Sequence, residues 1–286
     1  MLLYEGKLSL LCFLSPTPLA VLLIFSYLEI DVVFIDIEES VWWILLSYVV
    51  FINIIIHILL TDYAYQIAVR AAFLGSVFTS GLLAACFLPD PLTIFGWYMC
   101  VMAFFHYSEF LTIAITNPRS LSIDSYILNH SNEYIIAAIT SWVEFFIEVY
   151  FFPELKEMRL VSYMGLCLCV GGECMRKLAM LTAQGNFNHV VQSVRRSDHE
   201  LVTHGVYRIC RHPSYVGWFY WSMGTQMILV NPLCFVAYIL ASWKFFNDRI
   251  TVEELTLLNF FGEKYLEYQD KVGTGLPLIS GYRLEQ

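Results

Sequence analysis

The sequence predicts an all-α integral membrane protein of about eight transmembrane helices, ending in a C-terminal helical hairpin. Three observations predict it. Of 286 residues, 58% are hydrophobic and only 14% charged; the mean hydropathy is +0.62; and no strand-rich segment interrupts the apolar runs. A soluble domain does not have that composition.

About 20 apolar residues cross a hydrocarbon core of roughly 30 Å as a helix. Such runs occur near 9–28, 41–60, 64–88, 94–116, 135–152 and 159–178. The first contains Pro16 and Pro18 and lacks a small-residue cleavage pattern, so it is expected to be a prolyl-kinked span rather than a cleaved signal peptide. Two shorter runs, 214–230 and 233–247, are joined only by Asn231-Pro232 and form the hairpin. The tail beyond 249 has apolar residues at spacings of three and four, the pattern of one or two amphipathic helices near the headgroups. Without repeats or linkers, 1–286 is expected to be a single membrane domain. Spans 1–6 fall in 1–175, and the cofactor-binding and catalytic region falls in 176–286, with the hairpin at 214–247.

Orientation follows from basic residues. The loop 176–212 carries Arg176, Lys177, Arg195, Arg196, Arg208 and Arg211, and the tail carries Arg249, Lys264, Lys271 and Arg283. Both are expected in the cytosol, which with eight spans puts both termini there. The connection 29–39 holds Glu29, Asp31, Asp36, Glu38 and Glu39 and no base. The sequon Asn129-His-Ser131 falls in an expected cytosolic loop and would stay unmodified. The net charge of -9 comes from scattered acids and identifies no partner. Eight cysteines, mostly inside apolar runs and without a CxxC pair, read as packing residues rather than a disulfide framework or zinc site.

Arg70, Glu109, Glu144 and Glu148 lie inside apolar runs, where an ionised group facing lipid costs at least ~2.5 kcal/mol. Each must pair, for example Arg70 with Glu109, or line a hydrated cavity. His57 and His106 are expected to pack. Trp42-Trp43, Trp97-Tyr98 and Trp218-Phe-Tyr220-Trp221 fit interfacial anchors.

The chemistry concentrates between His204 and Glu254. No GxGxxG after a strand, P-loop, HExxH or GxSxG occurs, so a nucleotide cofactor needs an unconventional site. Arg208, Arg211 and His212 precede Pro213, a residue suited to the first helical position, and the free N–H groups of that helix start attract an anion. A basic flank explains the arginines but not the added His204, Tyr207, His212 and Tyr215. Arg249 and Glu253 share a helix face. They form either a solvated ion pair or a two-part recognition site, with the guanidinium on a carboxylate and Glu253 accepting from an ammonium or hydroxyl. The hairpin favours the second, because antiparallel packing returns residue 249 to the level of 212–215.

His204-Gly-Val-Tyr207, Arg211-His212-Pro213-Ser-Tyr215-Val-Gly217-Trp218, Asn231-Pro232 and Arg249-x-x-x-Glu253-Glu254 together resemble the isoprenylcysteine carboxyl methyltransferases. The likeness continues through Phe260-Phe-Gly-Glu-Lys-Tyr-Leu-Glu-Tyr268 and Thr274-Gly-Leu-Pro277. It covers roughly residues 190–280; the first 175 match only in their span pattern. The resemblance implies an endoplasmic-reticulum enzyme with a cytosol-facing cofactor pocket. It would transfer methyl from S-adenosylmethionine to the C-terminal carboxylate of prenylated CaaX-processed proteins such as small GTPases, leaving S-adenosylhomocysteine. The bilayer is a partner; nucleic acid and metal are not expected. By similarity Gln192, His199, Glu200, Leu201, Val202, Tyr207, His212, Pro213, Ser214, Tyr215 and Glu253 hold the cofactor, and Arg249 is the catalytic and substrate-binding residue. An ionised carboxylate needs no general base, so positioning and water exclusion suffice, with Tyr207, Tyr215 or Trp218 as cation–π partners for a sulfonium.

Three other classes fit less well. Membrane sterol reductases share the hairpin and its His-Pro start but have no need of a carboxylate-binding arginine. Phospholipid N-methyltransferases take an amine, for which Arg249 has the wrong sign. A transporter should show paired repeats or broken corresponding spans.

Overall fold

The computed structural model describes residues 2–27, 37–128 and 131–283, and these are helical with no strand among them. Along the described chain run α1 (Tyr4–Leu14), α2 (Thr17–Tyr27), α3 (Ile37–Leu59), α4 (Asp62–Phe87), α5 (Leu92–Thr116), α6 (Asn132–Phe151), α7 (Arg159–Ala183), α8 (Pro213–Leu229), α9 (Pro232–Phe261) and α10 (Glu263–Lys271). Four stretches in the described helices are apolar and long enough alone to cross a membrane: Trp42–Leu59, Asp62–Phe87, Leu92–Thr116 and Asn132–Phe151. The acids Glu29, Asp31 and Asp36 and the sequon residue Asn129 lie outside the described residues.

The first apolar run is two helices of 11 residues rather than one kinked span, because Pro16 has no N–H to continue the ladder. Each rises only about 16 Å. The pair descends α4 in two steps, with the Phe13 backbone against Gly75 and Ala20 packed with Leu83.

Backbone contact between small residues joins the central helices. A Cβ on Gly96 of α5 would sit 2.6 Å from the Gly81 carbonyl of α4. On α7, a Cβ on Gly172 would lie 2.5 Å from the Gly217 carbonyl of α8, and one on Gly165 would lie 2.5 Å from the Ile228 nitrogen. Lipid tails are as apolar as side chains, so such close approach supplies the van der Waals contact that associates helices in a bilayer. The α7–α8 contact sets the start of α8 beside the last two turns of α7, where the site forms.

At the opposite end the buried charges close helix termini. Lys156, 1% exposed, donates to Glu148 at 2.6 Å, to the Leu229 and Val230 carbonyls at 2.8 and 2.9 Å, and to Asn231 Oδ1 at 3.1 Å. Glu144 accepts from the Leu233 and Cys234 nitrogens at the start of α9, both at 2.7 Å. Pairing, and not a hydrated cavity, accounts for both acids. The chain turns here through Val230 (φ 53°) into Asn231-Pro232, the break expected from sequence.

Two other expectations change. The second hairpin arm does not stop near 247; α9 runs 30 residues to Phe261, and Gly262 (φ 55°) turns the chain into α10. Tyr98 and Trp221 are buried in the core rather than anchored at an interface. Trp221 stacks on Phe105 with centroids 4.0 Å apart, and Tyr98 accepts from Trp142 Nε1 at 3.1 Å.

Candidate functional site

Beneath the start of α8, Glu109 of α5 has no solvent exposure and is ringed by donors. Arg176 grips it with two parallel bonds, Nε and Nη2 each at 2.7 Å, the strong bidentate form. His189 Nε2 donates at 2.7 Å, and Lys177 Nζ also donates to it. Lys177 reaches Glu173 at 3.2 Å as well, so two cations meet two carboxylates. Burial of such a group requires that compensation.

The arrangement corrects two expectations. Arg176 and Lys177 are not part of a cytosolic loop, since α7 continues to Ala183 and Arg176 is 2% exposed. Nor does Arg70 pair with Glu109, whose oxygens are already taken. Arg70 Nη1 donates instead to the Gln66 carbonyl of its own helix, at 3.1 Å.

Arg176 extends from Glu109 to the site: its Nη1 donates to Ser214 Oγ at 2.7 Å, and its guanidinium lies 4.8 Å from the Trp218 ring centroid. Trp218 therefore serves Arg176 rather than the expected cofactor cavity. His189 likewise extends from Glu109, its backbone carbonyl accepting from Arg249 Nη2 at 2.6 Å. Arg249 Nε donates to Tyr215 Oη at 3.2 Å, and Tyr215 donates its own proton to Glu253. Residue 249 thus does return to the level of Tyr215. Arg249 and Glu253 are not a solvated ion pair, because the Tyr215 hydroxyl bridges them. Two of the five guanidinium N–H groups orient Arg249, which leaves three for a ligand.

Three cavities meet at these residues. The first is lined by His199, Glu200, Leu201, Val202, Tyr207, His212, Pro213, Ser214, Tyr215 and Glu253, together with Asn186, Asn188, Phe261, Tyr265 and Tyr268. Gln192 lines an adjoining hollow that shares Asn186, Asn188, His199, Tyr215 and Glu253, with its Nε2 donating to the Val190 carbonyl at 3.0 Å. The second cavity, of about 370 Å³, is lined by Arg249, Arg70, Asp124, Arg176, Asn188, His189, Tyr215 and Trp218. The third is almost wholly apolar and lies between α5, α6, α8 and α9, where Trp218, Trp221, Phe245, Phe246, Ala137, Ala138 and Ala241 face it. The first and second share Phe187, Asn188 and Tyr215; the second and third share Trp218 and Phe245.

The segment between α7 and α8 roofs the first cavity. Asn117 Nδ2, at the end of α5, donates to the Phe187 carbonyl at 3.0 Å, and Asn186 Oδ1 accepts from the Glu200 nitrogen at 2.9 Å. His199 sits edge-on to Phe260 and Phe261. Burial first, and then the neighbouring Arg196 and Arg195, hold its imidazole below the ordinary value, so it is neutral at pH 7. Burial raises the Tyr207 phenol and pushes the Cys210 thiol up to about 11, so neither is a nucleophile. His204 and Arg208, singled out with them, are exposed and line none of these cavities.

Glu254 fastens the wall behind. It is fully buried and accepts from Arg211 Nε at 2.7 Å, His212 Nε2 at 3.0 Å, Tyr265 Oη at 3.1 Å, Gln269 Nε2 at 3.0 Å and the Tyr282 nitrogen at 2.8 Å. Arg211 also donates to the carbonyls of Gln269, Val272 and Ser280. Its charge ties the tail to the start of α8 and is not free for an anion. The sequence drew attention to Glu253 as a site residue, marked Glu109 only as an intramembrane charge in need of a partner and Arg176 only as a basic loop residue, and assigned no role to Glu254 or His189. Glu109 alone carried a signal, as a charge inside an apolar run.

The first cavity suits a ligand with an aromatic ring, hydroxyls and both charges. Tyrosines and Phe261 offer flat faces, Glu200 and Glu253 accept from an ammonium or a ribose, and the first turn of α8 attracts a carboxylate. The model of the isoprenylcysteine carboxyl methyltransferase family matches residues 164–259. A protein-S-isoprenylcysteine O-methyltransferase from Tribolium castaneum is 60% identical over 223 residues, covering 78% of this chain and 79% of that protein. One from Homo sapiens is 54% identical over 238 residues, covering 83% and 84%. The solved structure of the eukaryotic intramembrane Ras methyltransferase, an isoprenylcysteine carboxyl methyltransferase, superposes with a TM-score of 0.90 at 52% identity, over 98% of this chain and 99% of that one.

Proposed function

The chain belongs to the isoprenylcysteine carboxyl methyltransferase family, and from that premise we propose that it methylates the C-terminal carboxylate of a prenylated cysteine in CaaX-processed proteins, small GTPases among them. It is a membrane methyltransferase. The observation that carries the reading is the meeting of three chemically different cavities at Tyr215, Arg249 and Trp218. One is polar and aromatic, one is cationic, and one is apolar. A cofactor, a carboxylate and an isoprenyl chain need that set and that order.

S-adenosylmethionine, when bound, supplies a sulfonium methyl that passes to a carboxylate oxygen as the carbon–sulfur bond breaks, leaving S-adenosylhomocysteine and a methyl ester. Gln192, His199 to Val202, Tyr207, His212 to Tyr215 and Glu253 would hold it. Arg249 is the catalytic residue: it binds the carboxylate with its uncommitted N–H groups and aims one oxygen towards the first cavity. No residue has to take a proton, since a carboxylate is ionised at neutral pH. His199, neutral and half-buried, is not asked to act as a base. Catalysis is then positioning and exclusion of water. The Tyr215 hydroxyl keeps Arg249 and Glu253 in register, so acceptor and donor sites move together. The apolar cavity takes the isoprenyl chain from the bilayer between α5, α6, α8 and α9.

The topology supporting this reading counts α1 and α2 as one broken crossing and α3 to α9 as seven more. Eight crossings leave both termini on the face that carries the first cavity, the cytosolic face of the endoplasmic reticulum. Amine methylation is opposed by Arg249, which would repel a cationic acceptor, and hydride transfer to sterols has no use for its carboxylate fork.

The test is direct. Purified protein in nanodiscs, given methyl-tritiated S-adenosylmethionine and N-acetyl-S-farnesylcysteine, should yield label that base releases as methanol. Folded protein that transfers no label, or transfers it in a base-stable form, would end the proposal.

A further inference from the structure

Glu109 is saturated by Arg176, Lys177 and His189, which leaves Arg70 in an unusual position for a membrane helix. Its one hydrogen bond is to the Gln66 carbonyl a turn earlier, at 3.1 Å. No carboxylate among the described residues lies within ion-pair distance of it. It lines the same cavity of about 370 Å³ as Arg249. Of the other charged groups lining that cavity, Arg176 is neutralised by Glu109, and Asp124 is the sole carboxylate. A guanidinium on a long apolar helix is costly unless it is hydrated or meets an anion. Here two guanidiniums, on α4 and α9, face one chamber from different helices.

We propose that Arg70 is a second substrate-binding residue, which draws the acceptor carboxylate into the chamber and shares it with Arg249. The inference rests on the carboxyl methyltransferase reading above. It assigns the two arginines different work. Arg249 is fixed by Tyr215 and His189 and aims the oxygen, whereas Arg70, tethered only to its own helix, neutralises the charge while the isoprenyl chain settles in the apolar cavity. Loss of Arg70 therefore weakens binding of the anionic acceptor more than it slows the chemical step. The ester product is neutral and gains nothing from Arg70, which favours its release.

The experiment compares wild-type enzyme with Arg70→Ala and Arg70→Lys in nanodiscs, after S-adenosylhomocysteine binding has established that each is folded. For N-acetyl-S-farnesylcysteine, Arg70→Ala should raise KM about tenfold or more, as expected for a lost hydrogen bond to a charged group, with kcat changed only a few-fold. Inhibition by the neutral methyl ester of the same compound should be unchanged, and Arg70→Lys should recover part of the lost affinity. An unchanged KM in folded Arg70→Ala, or an equal loss of affinity for carboxylate and ester, would overturn the assignment. Wild-type enzyme that methylates nothing would instead remove the reading beneath it.

Discussion

The two ends of the helical bundle both bury charges, and they use them differently. At the end where α8 turns into α9, Lys156 spends its three protons among Glu148, two helix-terminal carbonyls and Asn231, and Glu144 closes the first turn of α9. Every group there answers another group of the protein. At the opposite end Glu109 and Glu254 are saturated in the same way, yet Arg249 keeps three N–H groups in reserve beside a cavity. The difference separates structure from function better than burial or charge does. A buried ion whose hydrogen bonds are complete holds the fold, and a half-buried one with capacity left over beside a cavity awaits a ligand.

Breaking the saturated end should have the largest effect, on stability alone. Lys156→Met leaves the buried Glu148 without its cation, and removing one partner of such a pair costs about 3–5 kcal/mol. Thermal unfolding in nanodiscs should show that loss, while activity per folded molecule stays near wild type; a stable but inactive variant would contradict the division. The converse variant, Arg249→Ala, should keep its S-adenosylhomocysteine affinity and lose roughly a hundredfold or more in kcat/KM, the scale of misplaced reactants. If it turned over normally, Arg249 would have no part in catalysis.

Smaller changes sharpen the contrast. Tyr215→Phe removes the hydroxyl that accepts from Arg249 and donates to Glu253; a fall of about tenfold in kcat is expected, as for loss of a hydrogen bond to a charged group. Steady-state kinetics would measure it, and no change would mean the bridge is not used. The least effect should come from pH. Burial and Arg196 and Arg195 keep His199 below its ordinary value, so the folded state prefers the neutral ring. That preference contributes fully above the unfolded value near 6.5 and is lost as pH falls through the lower folded value. Thermal stability should be flat from about pH 7 upward and begin to fall below about 6.5, where the unfolded chain takes up the proton first, and His199→Gln should abolish that part of the dependence.

Much of the candidate site's lining was legible because its residues are close in sequence or fixed by turn chemistry. Pro213 starts α8 and Asn231-Pro232 ends it, so hairpin geometry alone brings Arg249 to Tyr215. Glu254 was given no role because nothing local distinguishes it from Glu253; the step of about 100° between adjacent helix residues sends one carboxylate to Tyr215 and the other to Arg211 and the tail. Arg176 was taken for a loop residue because its charge ends an apolar run, and hydropathy cannot register that α7 continues behind a paired ion.

By itself the sequence determined a helical membrane protein, its breaks at prolines, and the residues gathered around the start of α8. These depend on composition and on spacing within one or two turns, which a chain carries whatever it packs against. Tertiary structure alone decided which base each buried acid would meet. The glycine contact between α7 and α8 brings Arg176 to Glu109 and Ser214, and so leaves Arg70 to the cavity. A buried charge chooses the partner within about 3 Å, and only the packed helices fix that distance.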